Sequence, residues 1–166
     1  MHEDRVAGPT KLPGVMVDSL PHLRGELEIV VSEETSPGVF KEVDRKVLKN
    51  LVVNNLRTQI AMLIANRAVL TDRAITRLQI GTNGTAPAVT DAAITGPVEA
   101  ALTYDYPNTA AVRFTGTITT AQGNGTTFQE AGLVFTGAGL ACRVAFDAMI
   151  KSATFQWTFQ WTLTWN

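Results

Sequence analysis

The hydrophobic and polar positions follow a two-residue period over most of this chain, and most strictly at its end. Phe155, Trp157, Phe159, Trp161, Leu163 and Trp165 alternate with Gln156, Thr158, Gln160, Thr162 and Thr164. In a strand, successive side chains point to opposite faces, so this spacing predicts a strand over 155–165 with one aromatic face. At roughly 3.3 Å per residue it would span about 36 Å. Each buried ring removes ~150–250 Å² from water, so this face should anchor the core. A one-residue slip in register would expose every ring.

The same alternation predicts strands at 26–31, 40–48, 75–80, 110–118, 127–135 and 140–146. In 110–118, Val112, Phe114 and Ile118 point in, with Arg113, Thr115 and Thr117 out. Turns are expected at Ser36-Pro37-Gly38, Gly81-Thr82-Asn83-Gly84-Thr85, Gly123-Asn124-Gly125 and Gly137-Ala138-Gly139. The stretch around Pro87, Gly96 and Pro97 reads as a loop, and so does the Pro-flanked Tyr104-Asp105-Tyr106. One segment has helical spacing: Leu56, Ile60, Leu63 and Ile64 form a single apolar stripe, which predicts a helix over about 54–66, capped by Asn54 or Asn55. Many short strands with Gly-rich turns and one helix predict an antiparallel β-sandwich, jelly-roll-like, mainly β.

Residues 1–24 break the pattern. Pro9, Pro13 and Pro21 forbid a regular ladder and favour extended backbone. Two units follow: an extended N-terminal arm over 1–24 and a β-sandwich domain over 25–166. The arm carries Leu12, Val15, Val17 and Leu20, apolar residues able to bury against another protein. Twenty-four extended residues reach at most about 80 Å.

Charge sharpens this division. Residues 1–50 hold 16 of the 29 Asp, Glu, Lys and Arg residues, and the other 116 residues hold 13. The charged fraction is 17%, below the usual quarter of a globular chain, as expected if partners cover part of the surface. Formal net charge is −1, so no basic excess is available for a phosphate backbone, and no nucleic acid is expected as partner. No stretch approaches the ~20 apolar residues of a membrane span, and the N-terminus lacks the apolar core of an export signal. Synthesis in the cytosol and no membrane partner are the expectations.

Candidate chemistry is sparse. The only histidines, His2 and His22, lie in the arm. The single cysteine, Cys142, sits in an apolar run and reads as a buried, inert thiol, with Arg143 pointing to the opposite face of its strand. Asp72, Asp91, Glu99, Asp105, Glu130 and Asp147 are scattered through the β region without a close pair. The Gly81–Thr85 loop is followed by Ala86-Pro87 where a phosphate-binding loop needs Lys and a helix, so it reads as a turn. No catalytic residue, metal ligand or cofactor is expected. Tyr104 and Tyr106 are the only candidates for a sugar-binding pair.

An ordered series of short motifs resembles the small structural proteins of tailed bacteriophages. Lys49-Asn50-Leu51-Val52-Val53 precedes the helix. Gly81-Thr82-Asn83-Gly84-Thr85-Ala86-Pro87 leads to Thr90-Asp91; Glu130-Ala131-Gly132-Leu133 lies in a strand; Lys151-Ser152 opens the last strand. The resemblance covers roughly residues 45–166. It departs at Asn83, where that group often has Gly, and the arm matches nothing in it. It implies a non-enzymatic virion component made in the host cytoplasm. Its partners would be the major capsid protein or other virion proteins, and other copies of itself as a trimer. Capsid cement or decoration is the leading expectation. A tail, neck or baseplate component, or a fibre adaptor, is the alternative, and a carbohydrate-binding sandwich the third reading.

Overall fold

The computed structural model describes residues 22–65, 74–137 and 139–165. Eight strands and one helix follow in order: β1 (Leu23–Ser36), β2 (Val39–Val52), α1 (Asn54–Ile64), β3 (Ile75–Gly81), β4 (Val98–Asn108), β5 (Ala111–Ile118), β6 (Thr127–Phe135), β7 (Gly139–Ile150) and β8 (Phe155–Trp165). All pairings are antiparallel, and the sheet closes in the order β1-β2-β7-β6-β3-β4-β5-β8. The fold is therefore an eight-stranded antiparallel barrel, and the expected jelly-roll-like sandwich is corrected. Two strands make the difference by changing partners along their length. β2 pairs with β1 up to Asn50, then Leu51 and Val52 pair with Arg143 and Cys142 of β7. β4 pairs with β3 over Val98–Ala101 and with β5 from Leu102 on. Alternation marks which face of a strand is buried, but a sandwich and a small barrel share that pattern. Only these two corners close the sheet.

Side chains fill the barrel. Trp157, Phe159, Trp161 and Leu163 of β8 point inward, as the alternation requires. They meet Leu27 and Ile29 of β1, Leu78 and Ile80 of β3, Ile118 of β5, and Phe128 and Leu133 of β6. Phe128 and Trp157 meet edge to face with centroids 5.9 Å apart. Trp165, the last ring of the alternation, is 39% exposed.

The helix is shorter than expected and its stripe is only half used. Leu56 joins the core and Ile60 packs against it, but Leu63 and Ile64 are exposed. Val53, not an asparagine, occupies the N-cap, and no side chain caps the helix. Asn55 instead donates to the Leu140 carbonyl at 3.0 Å and accepts from Gln59 at 2.9 Å. β4 was not legible as a strand, and it places Tyr104 opposite Phe114 and Tyr106 two residues on in the same strand, not in a loop. β1 begins at Leu23, opposite Trp165, so the barrel starts two residues inside the expected arm. Leu12, Val15, Val17, Leu20 and His2 lie outside the described residues. No described helix is long and apolar enough to cross a membrane.

Candidate functional site

The polar residues that interrupt the apolar strands converge outside the barrel wall. Cys142 and Val144 of β7 point into the core, so Arg143 between them points out. Yet Arg143 is 2% exposed and Glu130 on neighbouring β6 is 0% exposed. The connection from β3 to β4, residues 82–97, lies across β6 and β7 and covers both. Arg143 donates Nε to Glu130 Oε2 at 2.7 Å, Nη1 to Asp91 Oδ2 at 2.9 Å and Nη2 to the Asn83 carbonyl at 3.1 Å. The second oxygen of Glu130 accepts the backbone N–H of Thr95 at 2.8 Å and of Asn83 at 3.2 Å. Asp91 Oδ2 also accepts the Ala88 N–H at 2.8 Å, closing a local turn.

Two glycines make room for this covering loop. A Cβ on Gly81 would lie 2.4 Å from Ile94 Cγ2 and 2.7 Å from Glu130 Oε1. One on Gly132 would lie 2.9 Å from Ile94 Cδ1 and 2.6 Å from Leu140 Cδ1. Ile94, Leu140 and Val53 therefore form a small second core between the loop and the wall.

The electrostatics fit a structural clasp. Burial works against the guanidinium charge of Arg143, but hydrogen bonds and attraction from Glu130 and Asp91 more than offset it and raise its pKa. An ion pair this deep is held by completed hydrogen bonds more than by Coulomb attraction alone. Asp91 and Glu130, distant in sequence, do come together, but on the same arginine. With Glu130 fully buried, the pair is closed to a substrate.

Lys151 makes a second buried polar point beside the Gly123–Gly125 turn. Its Nζ donates to the Ser152 carbonyl at 2.8 Å and to Asn124 Oδ1 at 3.3 Å. Among the described residues no carboxylate pairs with it, and burial lowers its pKa. The turn's Gly125 N–H in turn donates to the Lys151 carbonyl at 2.9 Å. Cys142 is fully buried, and burial pushes its thiol up to about 12, with Asn50 pulling weakly the other way. That suits the inert reading, because the thiolate is the reactive form. Among the described residues no group of His, Cys, Asp and Glu could hold a metal. His22 is exposed just before β1.

The structure thus gathers the motifs singled out in the sequence. Gly81, Asn83 and Asp91 come from one, Glu130 and Gly132 from another, and Val53 from a third. Arg143 was missed as their partner because its face of β7 reads as solvent. The available signal was that Glu130 and Arg143 are the lone charges of the stretches 127–135 and 140–146. Tyr104 and Tyr106 stand exposed at 64% and 72%, edge to face with centroids 5.9 Å apart. No known protein family, curated protein or solved structure matches the chain.

Proposed function

We propose that this chain is a non-enzymatic structural protein of a bacteriophage virion, an accessory capsid cement or decoration protein. The observation that carries the protein-binding part of this reading is the edge of β2. Over Val39–Asn50 this strand pairs with β1, whereas β7 meets it only at Leu51 and Val52. Unpaired strand edges are templates for other chains. Val39, Phe40, Val43 and Val47 stand exposed along the same stretch. Four exposed apolar side chains on a strand whose second edge has no partner over Val39–Asn50 among the described residues fit a surface that another protein covers. The clasp supports the same reading, since it spends buried charge on holding a loop to the barrel. The virion assignment itself rests on the motif series around Lys49–Val53, Gly81–Asp91, Glu130–Leu133 and Lys151–Ser152.

In this role the barrel is a rigid plug, and the arm bearing Leu12, Val15, Val17 and Leu20 staples neighbouring coat subunits. Gold labelling of intact particles with an antibody to this protein, viewed by electron microscopy, tests the reading. Dense label over the head, with hundreds of copies per particle, is the expected result. Label confined to the tail or neck, at six to a few dozen copies, would replace it with the tail-component alternative. No label on any particle would overturn the virion assignment.

The exposed Tyr104–Tyr106 pair favours a second reading, a sugar-binding surface, because aromatic faces stack on sugar rings. Glycan-array binding that disappears in Tyr104→Ala/Tyr106→Ala would establish it. An array with no signal would remove it.

A further inference from the structure

A cleft of about 760 Å³ opens where β1 begins, between the outer wall of the barrel and α1. Arg24 of β1, Lys49 of β2 and Arg57 of α1 line it, with Glu26 as the only acid among the described lining residues. Thr162 and Thr164 of β8 supply hydroxyls on the same wall. The register explains the grouping. Arg24 lies directly across from Thr164, and Glu26 lies between Thr162 on one side and Lys49 on the other.

The other described arginines are paired. Arg45 bridges Glu28 and Glu42, Arg77 meets Glu99, Arg113 meets Asp105, and Arg143 meets Glu130 and Asp91. Arg24 and Arg57 are the two described arginines without an ion pair among the described residues, and both face this one cleft. A guanidinium presents a planar fork of donors that matches a carboxylate two bonds at a time. Three cations against one carboxylate leave a local positive field inside a chain whose net charge is −1. Among the described lining residues there is no aromatic for a base to stack on, and three cations make a short electrostatic track for a nucleic acid. An extended peptide with spaced carboxylates fits its charge and its row of exposed donors.

We propose that this cleft binds an acidic, extended peptide segment of a neighbouring subunit, with two or more carboxylates seated on Arg24, Lys49 and Arg57. The identity of the neighbour as a virion protein rests on the function proposed above; the peptide chemistry does not.

The test uses the full chain and a fluorescently labelled Glu-Ser-Glu-Ser-Glu peptide, with anisotropy read at low ionic strength. Each of Arg24→Gln, Lys49→Gln and Arg57→Gln should weaken binding about two- to fivefold, and the triple variant about tenfold or more. All three side chains are exposed, so the melting temperature should stay within about 2 °C of wild type. Lys41→Gln, on the exposed part of β2 away from the cleft, should bind as wild type does. Added salt should weaken binding, as screening requires. The proposal is overturned if wild type does not bind, or if the triple variant binds equally well. It is also overturned if a single-stranded oligonucleotide or inorganic phosphate at equal concentration displaces the peptide. Peptide binding without label on particles would remove the virion reading and leave this one. Label on particles without peptide binding would do the reverse.

Discussion

Removing Arg143 should be among the most damaging single changes outside the aromatic core. In Arg143→Met the chain keeps a long side chain on β7 but loses three hydrogen bonds and the countercharge of Glu130. Glu130, at 0% exposure, would still accept two backbone N–H groups but would carry an unpaired buried charge. Breaking one side of a buried ion pair costs ~3–5 kcal/mol. With a urea m-value of ~1–3 kcal/mol/M, the midpoint should fall by ~1–5 M. Asp91→Asn should cost far less, about 1 kcal/mol, because Asp91 is a quarter exposed and Arg143 retains Glu130. Equilibrium urea unfolding measures both, and native-state hydrogen exchange locates the damage. Protection at the Thr95 and Asn83 amides should drop in Arg143→Met before the β8 amides change. If Arg143→Met costs less than 1 kcal/mol and leaves the Thr95 amide protected, the clasp does not hold the loop.

Other expectations follow from single positions. Cys142 should resist a thiol reagent at pH 8 in the folded protein and react only in denaturant, since burial holds its pKa near 12; rapid labelling of native protein would show that the barrel end opens. Gly132→Ala should cost ~1–3 kcal/mol from overpacking against Leu140 and Ile94, read as a lowered urea midpoint. Trp157→Ala should cost ~3–5 kcal/mol, whereas Trp165→Ala, at the exposed end of the same strand, should cost under about 1 kcal/mol. The lowered pKa of Lys151 means that the unfolded chain binds more protons in the window from that folded pKa up to 10.5. Stability should therefore rise with pH across that window, and Lys151→Met should flatten the rise in pH-dependent melts.

Local alternation carried much of the fold into view. The unbroken period of 155–165 located β8 from end to end and named the inward rings Trp157, Phe159 and Trp161. The strands 110–118 and 127–135 were placed within a residue, because each buries one regular face. β4 was missed because Pro107 and the Tyr104-Asp105-Tyr106 run look like a turn. Its outer half is exposed, so no apolar period marks it. The helix stripe was half right: Leu56 and Ile60 reach the core, while Leu63 and Ile64 stay exposed.

The site was less legible. Asp91, Glu130 and Arg143 read as scattered surface charges, because strand parity does point Arg143 away from the core. What parity could not say is that the 82–97 connection folds back over that face and turns it into a second interior. Gly81 and Gly132 were visible as glycines, but the need for them appears only when Ile94 is placed against the wall. The sequence by itself determined which strand faces are apolar, that Cys142 is buried, and that the chain is mainly β with one helix. The tertiary structure decided that β2 and β4 bend between neighbours and close a barrel. It also decided that three charges from distant segments share one buried clasp, and that Arg24, Lys49 and Arg57 share a cleft. The reason is range: side-chain alternation reports the few residues on either side, whereas closure, covering and charge clustering depend on pairings between segments tens of residues apart.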